Sequence, residues 1–400
     1  MKEGKVIVSG AGCCLIDRIY NGVSFSGPVF SRYLSKAKGD GGMEPGKLEF
    51  EDEFEKFASK PFEKVLEEIT GGRKPDAVNI GGPCIVALIN AAQITEGLSE
   101  VNFYGVRSDD EVGAMLMERL SRVPVGISHY DVVPGLPTAS TTVFSDPSHD
   151  NGQGERIFVN TIGASWKYDS SRLPAEFFDA DIVVFGATAI VPGLHDTLDE
   201  ALSRAAANNC LTIVNTVFDS RNERLHPDLK WPMGKSDDCY RNIDVLVVDK
   251  EEALRLSGKT EIDDAMRWFR SMGVGAAVVT NGSRNISAYA SSPKFRPLAL
   301  TEYPVCAAVG EEIKKGVKGD TTGCGDNFAG GVIASLARQI HFGEDLFDMS
   351  DACRWGAVSG GFACFYTGGT YYESAPGEKL GKLKDLYRRY CAQLDGIGKL

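Results

Sequence analysis

The sequence predicts an α/β fold with a mostly parallel central sheet, and three observations carry that reading. Short runs of β-branched and aliphatic residues recur at 6–8, 181–185, 211–214, 244–248 and 276–280. Segments with apolar residues every three to four positions, such as 196–208 and 261–272, lie between them. The runs are apolar at consecutive rather than alternate positions, as in strands covered on both faces. Strands alternating with helices build a parallel sheet sandwiched between helical layers, and such sheets bind ligands at the carboxyl ends of their strands.

Taken in order, the first apolar stretch follows Lys2 and Lys5 and runs to Ile16, interrupted by Gly10 and Gly12 and closed by Asp17-Arg18. No small-residue cleavage pattern follows it. A buried strand running into a glycine turn is predicted, not a secretory leader. Residues 22–76 break the rhythm. Glycines give way to an acidic stretch whose apolar residues, at 49–57 and 62–69, are spaced as on a helix, so an inserted helical excursion is predicted. Gly81 and Gly82 precede a helical pattern at 84–94. Residues 129–167 alternate in character, at 140–144 and 156–159, with polar turn residues between, which predicts antiparallel hairpin strands. The expectation is one domain over 1–400 bearing a small β-strand lid drawn from about 100–167. Exposed lid edges would suit a homodimer.

Composition narrows the function classes. Acidic residues outnumber basic ones by 55 to 43, and no basic stripe interrupts the balance, so neither nucleic acid nor an anionic membrane surface is an expected partner. No apolar run approaches the length of a membrane span. The 10 cysteines show no C-x-x-C spacing and no histidine at ligand distance, which predicts reduced thiols in a cytoplasmic protein rather than disulfides or a zinc site. A P-loop and the hydrolase motifs are absent.

The chemistry concentrates in residues 319–337, where a glycine-rich turn leads straight into a helical pattern beginning near Asp326. Backbone N–H groups of residues 323–326 at the positive end of a helix form an anion hole, suited to a transferring phosphoryl group. Asp326 at its mouth reads either as a base taking a hydroxyl proton or as a cap of the helix that it begins. Asp249 and Glu252 share one side of a helix start, where they could serve Mg²⁺ or simply the helix terminus. Thr280-Asn281-Gly282 closes a strand with a turn of a common kind.

Segment 320–326, Asp-Thr-Thr-Gly-Cys-Gly-Asp, resembles the second signature of the ribokinase-like or PfkB carbohydrate kinase family, D-T-x-G-A-G-D. Every fixed position matches except Cys324, where alanine is usual. The resemblance implies a three-layer α/β/α domain with a small β lid and transfer of the γ-phosphoryl group of ATP to a hydroxyl of a small sugar-like molecule. Asp326 would then be the base, and Gly323, Cys324 and Gly325 the anion-hole amides. Other positions fall in the family's order over nearly the whole chain. Asp17, Gly81 and Gly82 are implied to bind the acceptor. Thr280, Gly282, Thr322, Gly323 and Gly325 are implied to meet ATP. Asp249 and Glu252 are implied to serve Mg²⁺, and Asp320 lies where the family places a monovalent cation such as K⁺.

Several positions depart from the pattern. Val86 replaces an asparagine common in sugar-specific members, Arg107-Ser108 replaces small residues, and aspartate replaces asparagine at 249. Arg107 is a candidate for an anionic group on the acceptor, or an ordinary surface arginine. Arg156 lies in the region from which lid strands feed side chains to the acceptor. Residues 351–361 form the small-residue helix start where the family packs adenine, without its usual asparagine. A nucleoside kinase of the same fold and a metabolite-binding pseudokinase are the alternatives.

Overall fold

The apolar runs form the spine of a nine-stranded sheet. A computed structural model describes residues 4–152, 154–317 and 319–397. In chain order the strands are β1 (Val6–Gly12), β2 (Leu15–Asn21), β3 (Leu48–Phe50), β4 (Ala77–Gly81), β5 (Ser99–Arg107), β6 (Gly126–Val132), β7 (Ser140–Asp146), β8 (Glu155–Thr161), β9 (Ile182–Gly186), β10 (Leu211–Asn215), β11 (Val245–Asp249), β12 (Ala276–Thr280), β13 (Ile286–Ala290) and β14 (Leu298–Tyr303). The large sheet has the order β14-β13-β12-β11-β10-β9-β1-β5-β6. It is parallel from β6 to β12, with β13 and β14 added antiparallel at one edge.

Consecutive residues of its strands alternate between two cores. Val184, Ile213, Val247 and Val278 pack on one side, and Val183, Phe185, Val214, Leu246 and Val279 on the other. Both faces are therefore dry, which is why these strands are apolar without alternation. The layers are helix, sheet, helix.

A second sheet of five strands, β3-β8-β7-β2-β4, stands apart from the first. β7 and β8 pair antiparallel, as their alternation predicts. Two assignments differ from expectation. β5 and β6, inside the span assigned to the lid, belong to the large sheet, where β5 pairs parallel with β1 and buries Val101 and Phe103. The lid takes β2 and β4 instead, because the chain leaves the large sheet at Gly12, and one continuous apolar stretch serves two sheets. The segment 22–76 does carry the helices Glu51–Ala58 and Phe62–Thr70, but it also supplies β3 as a lid edge. Its Phe54, Phe62 and Val65 pack with Tyr20, Phe144 and Ile157 of the lid. Burying such side chains is worth about 1.5–3 kcal/mol each, which holds the excursion against the lid.

Candidate active site

The chain leaves β1 in one direction through β5 and β6 and returns through β9 to β12 on the other side, so β1 and β9 bound the switch point where open α/β sheets bind ligands. Gly12 and Gly186 pair across it. A Cβ on Gly12 would lie 2.1 Å from the Gly186 carbonyl oxygen and 2.7 Å from Cys84 Cβ, so the helix Pro83–Ile94 begins directly on the crevice. The helix Cys324–Phe342 packs closely on that helix. A Cβ on Gly330 would lie 2.5 Å from the Ala87 carbonyl oxygen.

Gly323 is the N-cap of this second helix, in the left-handed region at φ +75°. A side chain there would meet Gly369 Cα at 2.4 Å, so two backbones touch where only glycine fits. Among the described residues, the N–H groups of Gly323, Gly325 and Asp326 have no backbone acceptor, which leaves them free for an anion. The Cys324 amide differs from expectation: it closes a turn onto the Thr321 carbonyl at 3.3 Å. Asp320 holds the turn from below, accepting from the Thr322 N–H at 2.8 Å while its own N–H donates to the Tyr366 carbonyl at 3.1 Å.

Asp326 is the third residue of the helix. Among the described residues its side chain caps nothing and accepts no hydrogen bond. It stays partly open to the cleft while burial pushes its carboxyl up to about 7. Asp17 lies in mid-strand, between Asn79 of β4 and Thr141 of β7, and is 7% exposed, so it is neither a turn residue nor a cap. Burial first, then the charges of Asp326 and Asp320, push its carboxyl up to about 8. Its carboxylate lies over Gly81, where a Cβ would sit 2.0 Å from Asp17 Oδ2. Gly82, at φ +102°, lies against the Cys13 carbonyl, whose oxygen a Cβ would meet at 2.8 Å. Gly81 thus leaves Asp17 its place.

On the other side of the crevice a cleft of about 390 Å³ opens between Asp249, Lys250, Glu251, Leu254, Arg255 and the turn Thr280, Asn281, Gly282. The two elements singled out for magnesium and nucleotide therefore share one cleft. Asp249 and Glu252 form a reciprocal capping box, with Glu252 N–H on Asp249 Oδ1 at 2.7 Å and Asp249 N–H on Glu252 Oε2 at 2.9 Å. Thr216 Oγ1 donates to the same Glu252 oxygen at 2.6 Å. Burial and the neighbouring Asp249 push Glu252 well above the usual carboxylate range, a cost that a nearby cation would relieve. Among the described residues no three acidic, His or Cys side chains converge on a metal position. The donor set fits a divalent cation that brings most of its ligands with it: Asp249 and Glu252 would be the side chains nearest to it, and it would supply positive charge beside them.

Comparisons with known proteins bear on the family and the fold. The family model described as "pfkB family carbohydrate kinase" matches residues 78–375. The chain belongs to the PfkB family. Among curated relatives of this PfkB chain, the cytidine kinase of Thermococcus kodakarensis is 26% identical over 56% of the chain and 69% of its own length. The fructokinase of Rhizobium leguminosarum bv. trifolii is 25% identical over 67% and 75%. Among solved structures, adenosine kinase from Schistosoma mansoni with 2-fluoroadenosine superposes with a TM-score of 0.68 at 15% identity, covering 92% of this chain and 97% of that one. Ribokinase from Thermotoga maritima gives 0.60 at 15%, covering 96% and 99%. An E. coli chain of the ribokinase II type, solved with ATP and Mg²⁺, gives 0.60 at 18%, covering 96% and 99%.

Within the PfkB frame the lid closes onto the signature loop. Arg156 of β8 donates to Thr322 Oγ1 at 3.3 Å, so the lid places a guanidinium beside the anion hole. Arg107, at the end of β5, turns to the Ser108 carbonyl at 3.1 Å, and no described contact joins it to Asp17 or Asp326. Val86 is buried against Gly369 rather than lining open space. The small residues of 351–361 are spent on helix packing: Gly356 and Gly360 lie under Phe328, and Gly361 under Val309. Sequence patterns did not single out Thr216, whose hydroxyl holds Glu252, or Asn327 and Lys379, whose side chains join beside the Gly323 turn. Cys324 sits 3.5 Å from Cys364, sulfur to sulfur, and all 10 cysteines are free.

Proposed function

We propose that this PfkB chain transfers the γ-phosphoryl group of ATP to a hydroxyl of a small sugar-like acceptor. The observation that carries the reading is the pairing of two carboxylates with one anion hole: a buried Asp17 on Gly81, and a partly open, uncapped Asp326 beside free amides. Asp17 accepts hydrogen bonds from acceptor hydroxyls. Asp326 takes the proton from the attacking hydroxyl at a carboxyl oxygen, and its raised pKa suits a base working near neutral pH. The Gly325 and Asp326 amides, with Arg156, hold the oxygens on which charge grows during transfer. Thr280, Gly282 and Thr322 border the nucleotide, and Mg²⁺, near Asp249 and Glu252, supplies charge neutralisation between the phosphates. Asp320, locked into the turn by Thr322 and Gly368, is where a K⁺ ion would act. The reduced cysteines accord with the cytoplasm.

A nucleoside acceptor is the second reading, favoured by the cytidine and adenosine kinases among the similar proteins. ADP release with ATP and Mg²⁺, measured over a panel of sugars, sugar acids and nucleosides, in KCl and in choline chloride, separates the readings. Turnover with a sugar or sugar acid is expected. Turnover only with nucleosides moves the acceptor class. Binding of a panel member without any ADP release overturns the kinase reading in favour of a sensor.

A further inference from the structure

Lys379 is 1% exposed and is the second residue of the helix Glu378–Ile397. A lysine there is doubly penalised, since burial strips its ammonium of water and the helix N-terminus repels positive charge. Among the described residues no carboxylate pairs with its Nζ. The nitrogen donates to Asn327 Oδ1 at 2.9 Å and lies 5.9 Å from the ring centres of Tyr366 and Tyr371. Burial pulls the ammonium down to about 7, with Glu373 opposing. Packing alone would be served better by methionine, so the charge asks for another reason.

Asn327 supplies it. This residue follows Asp326, and its Nδ2 donates to the carbonyls of Gly323 at 2.9 Å and Gly369 at 2.8 Å. The Tyr366 hydroxyl adds a second donor to Asn327 Oδ1 at 3.2 Å. A side-chain amide can turn over, exchanging its oxygen and its NH₂. As an ammonium Lys379 donates and cannot accept, so it reinforces the orientation that the two carbonyls favour, the one in which the NH₂ grips both of them. The Gly323 carbonyl is also the first acceptor of the helix, taking the Asn327 N–H at 2.8 Å. Its position sets the direction in which the Gly325 and Asp326 amides leave the helix end.

We propose that Lys379 is a positioning residue for phosphoryl transfer, its buried ammonium locking Asn327 so that the anion-hole turn at residues 323–326 keeps its shape. The role in turnover rests on the kinase reading above; the bracing of the turn does not.

The test compares wild type with Lys379→Met, which keeps the length and loses the donor, and Lys379→Gln, which restores a neutral donor. Hydrogen–deuterium exchange over 319–328 reads the brace, and steady-state kinetics with ATP and the acceptor found by the panel reads its use. Lys379→Met is expected to fold, to exchange faster over 319–328, and to lose about 10- to 100-fold in kcat, with the acceptor KM changed less than about threefold. Lys379→Gln is expected to recover part of both. Unchanged exchange, or a kcat within about twofold of wild type, overturns the proposal. If Lys379→Met does not fold, Lys379→Gln is judged against wild type by the same two measures. Wild-type protein that turns over no acceptor counts against the kinase reading, and the exchange experiment still decides the brace.

Discussion

Asp326→Asn isolates the proton-transfer step with little else disturbed. The substitution is isosteric, and the carboxylate accepts no hydrogen bond among the described residues, so no structural contact is lost. General-base assistance is worth about 10² to 10⁴ in rate, and kcat should fall by about that factor. ATP affinity should stay within about threefold, because the anion-hole amides are backbone groups and remain in place. The pH dependence gives a second measure. With the carboxyl pushed up to about 7, about a tenth of the base is ionised at pH 6 and about nine-tenths at pH 8. Wild-type kcat/KM should therefore rise about tenfold between those values and then level. Asp17 is raised as well, partly by the charge of Asp326, so the observed midpoint belongs to the pair. In Asp326→Asn that limb disappears, and Asp17 titrates at lower pH.

Stability should move in the opposite sense to activity. An unfolded aspartate loses its proton near 3.8, whereas folded Asp326 holds it to about 7, so the folded state binds more protons across that window. The contribution of Asp326 to stability then falls as pH rises from about 4 to 7. Asp326→Asn escapes this loss and should melt higher than wild type at pH 8, with no advantage at pH 4. Urea unfolding at the two pH values, beside an ADP-release assay on the identified acceptor, makes the comparison. Equal turnover in mutant and wild type refutes the base assignment. A kcat loss with no gain in stability at pH 8 refutes the burial argument for the raised carboxyl.

Two further outcomes follow from the geometry around this aspartate. Gly81→Ala places a Cβ 2.0 Å from Asp17 Oδ2, so the carboxylate must leave its position; acceptor KM should rise at least about tenfold while ATP affinity, measured by calorimetry, holds within about threefold. Arg156→Gln removes the lid guanidinium that reaches Thr322 Oγ1, and kcat should drop about 10- to 100-fold with the melting temperature nearly unchanged; an unaltered kcat would place Arg156 outside the reaction.

Local chemistry explains what could be read without coordinates. Strands apolar at every position announce a sheet covered on both faces, and β9 to β12 stand where those runs lie. The turn at 320–326 was legible because glycine at a left-handed position and free amides at a helix start are properties of adjacent residues. A strand's pattern says that it is paired, not with which partner, so β2 and β5 could not be sorted between the two sheets. Contacts across long separations were equally hidden: Arg156 meets Thr322 166 positions on, and Lys379 meets Asn327 52 positions back. Asp326 shows how the two kinds of information combine. Spacing left base and cap as equals, since either places an aspartate at the head of a helix. The cap position belongs to Gly323, whose left-handed backbone and contact with Gly369 exclude a side chain, and Asp326 stands three residues on with a carboxylate that satisfies no backbone donor. An acid in the first helical turn gains from the helix dipole on the surface. Under burial that pushes its carboxyl up to about 7, the same placement costs stability, and costly placements of ionisable groups are characteristic of sites that act on a ligand.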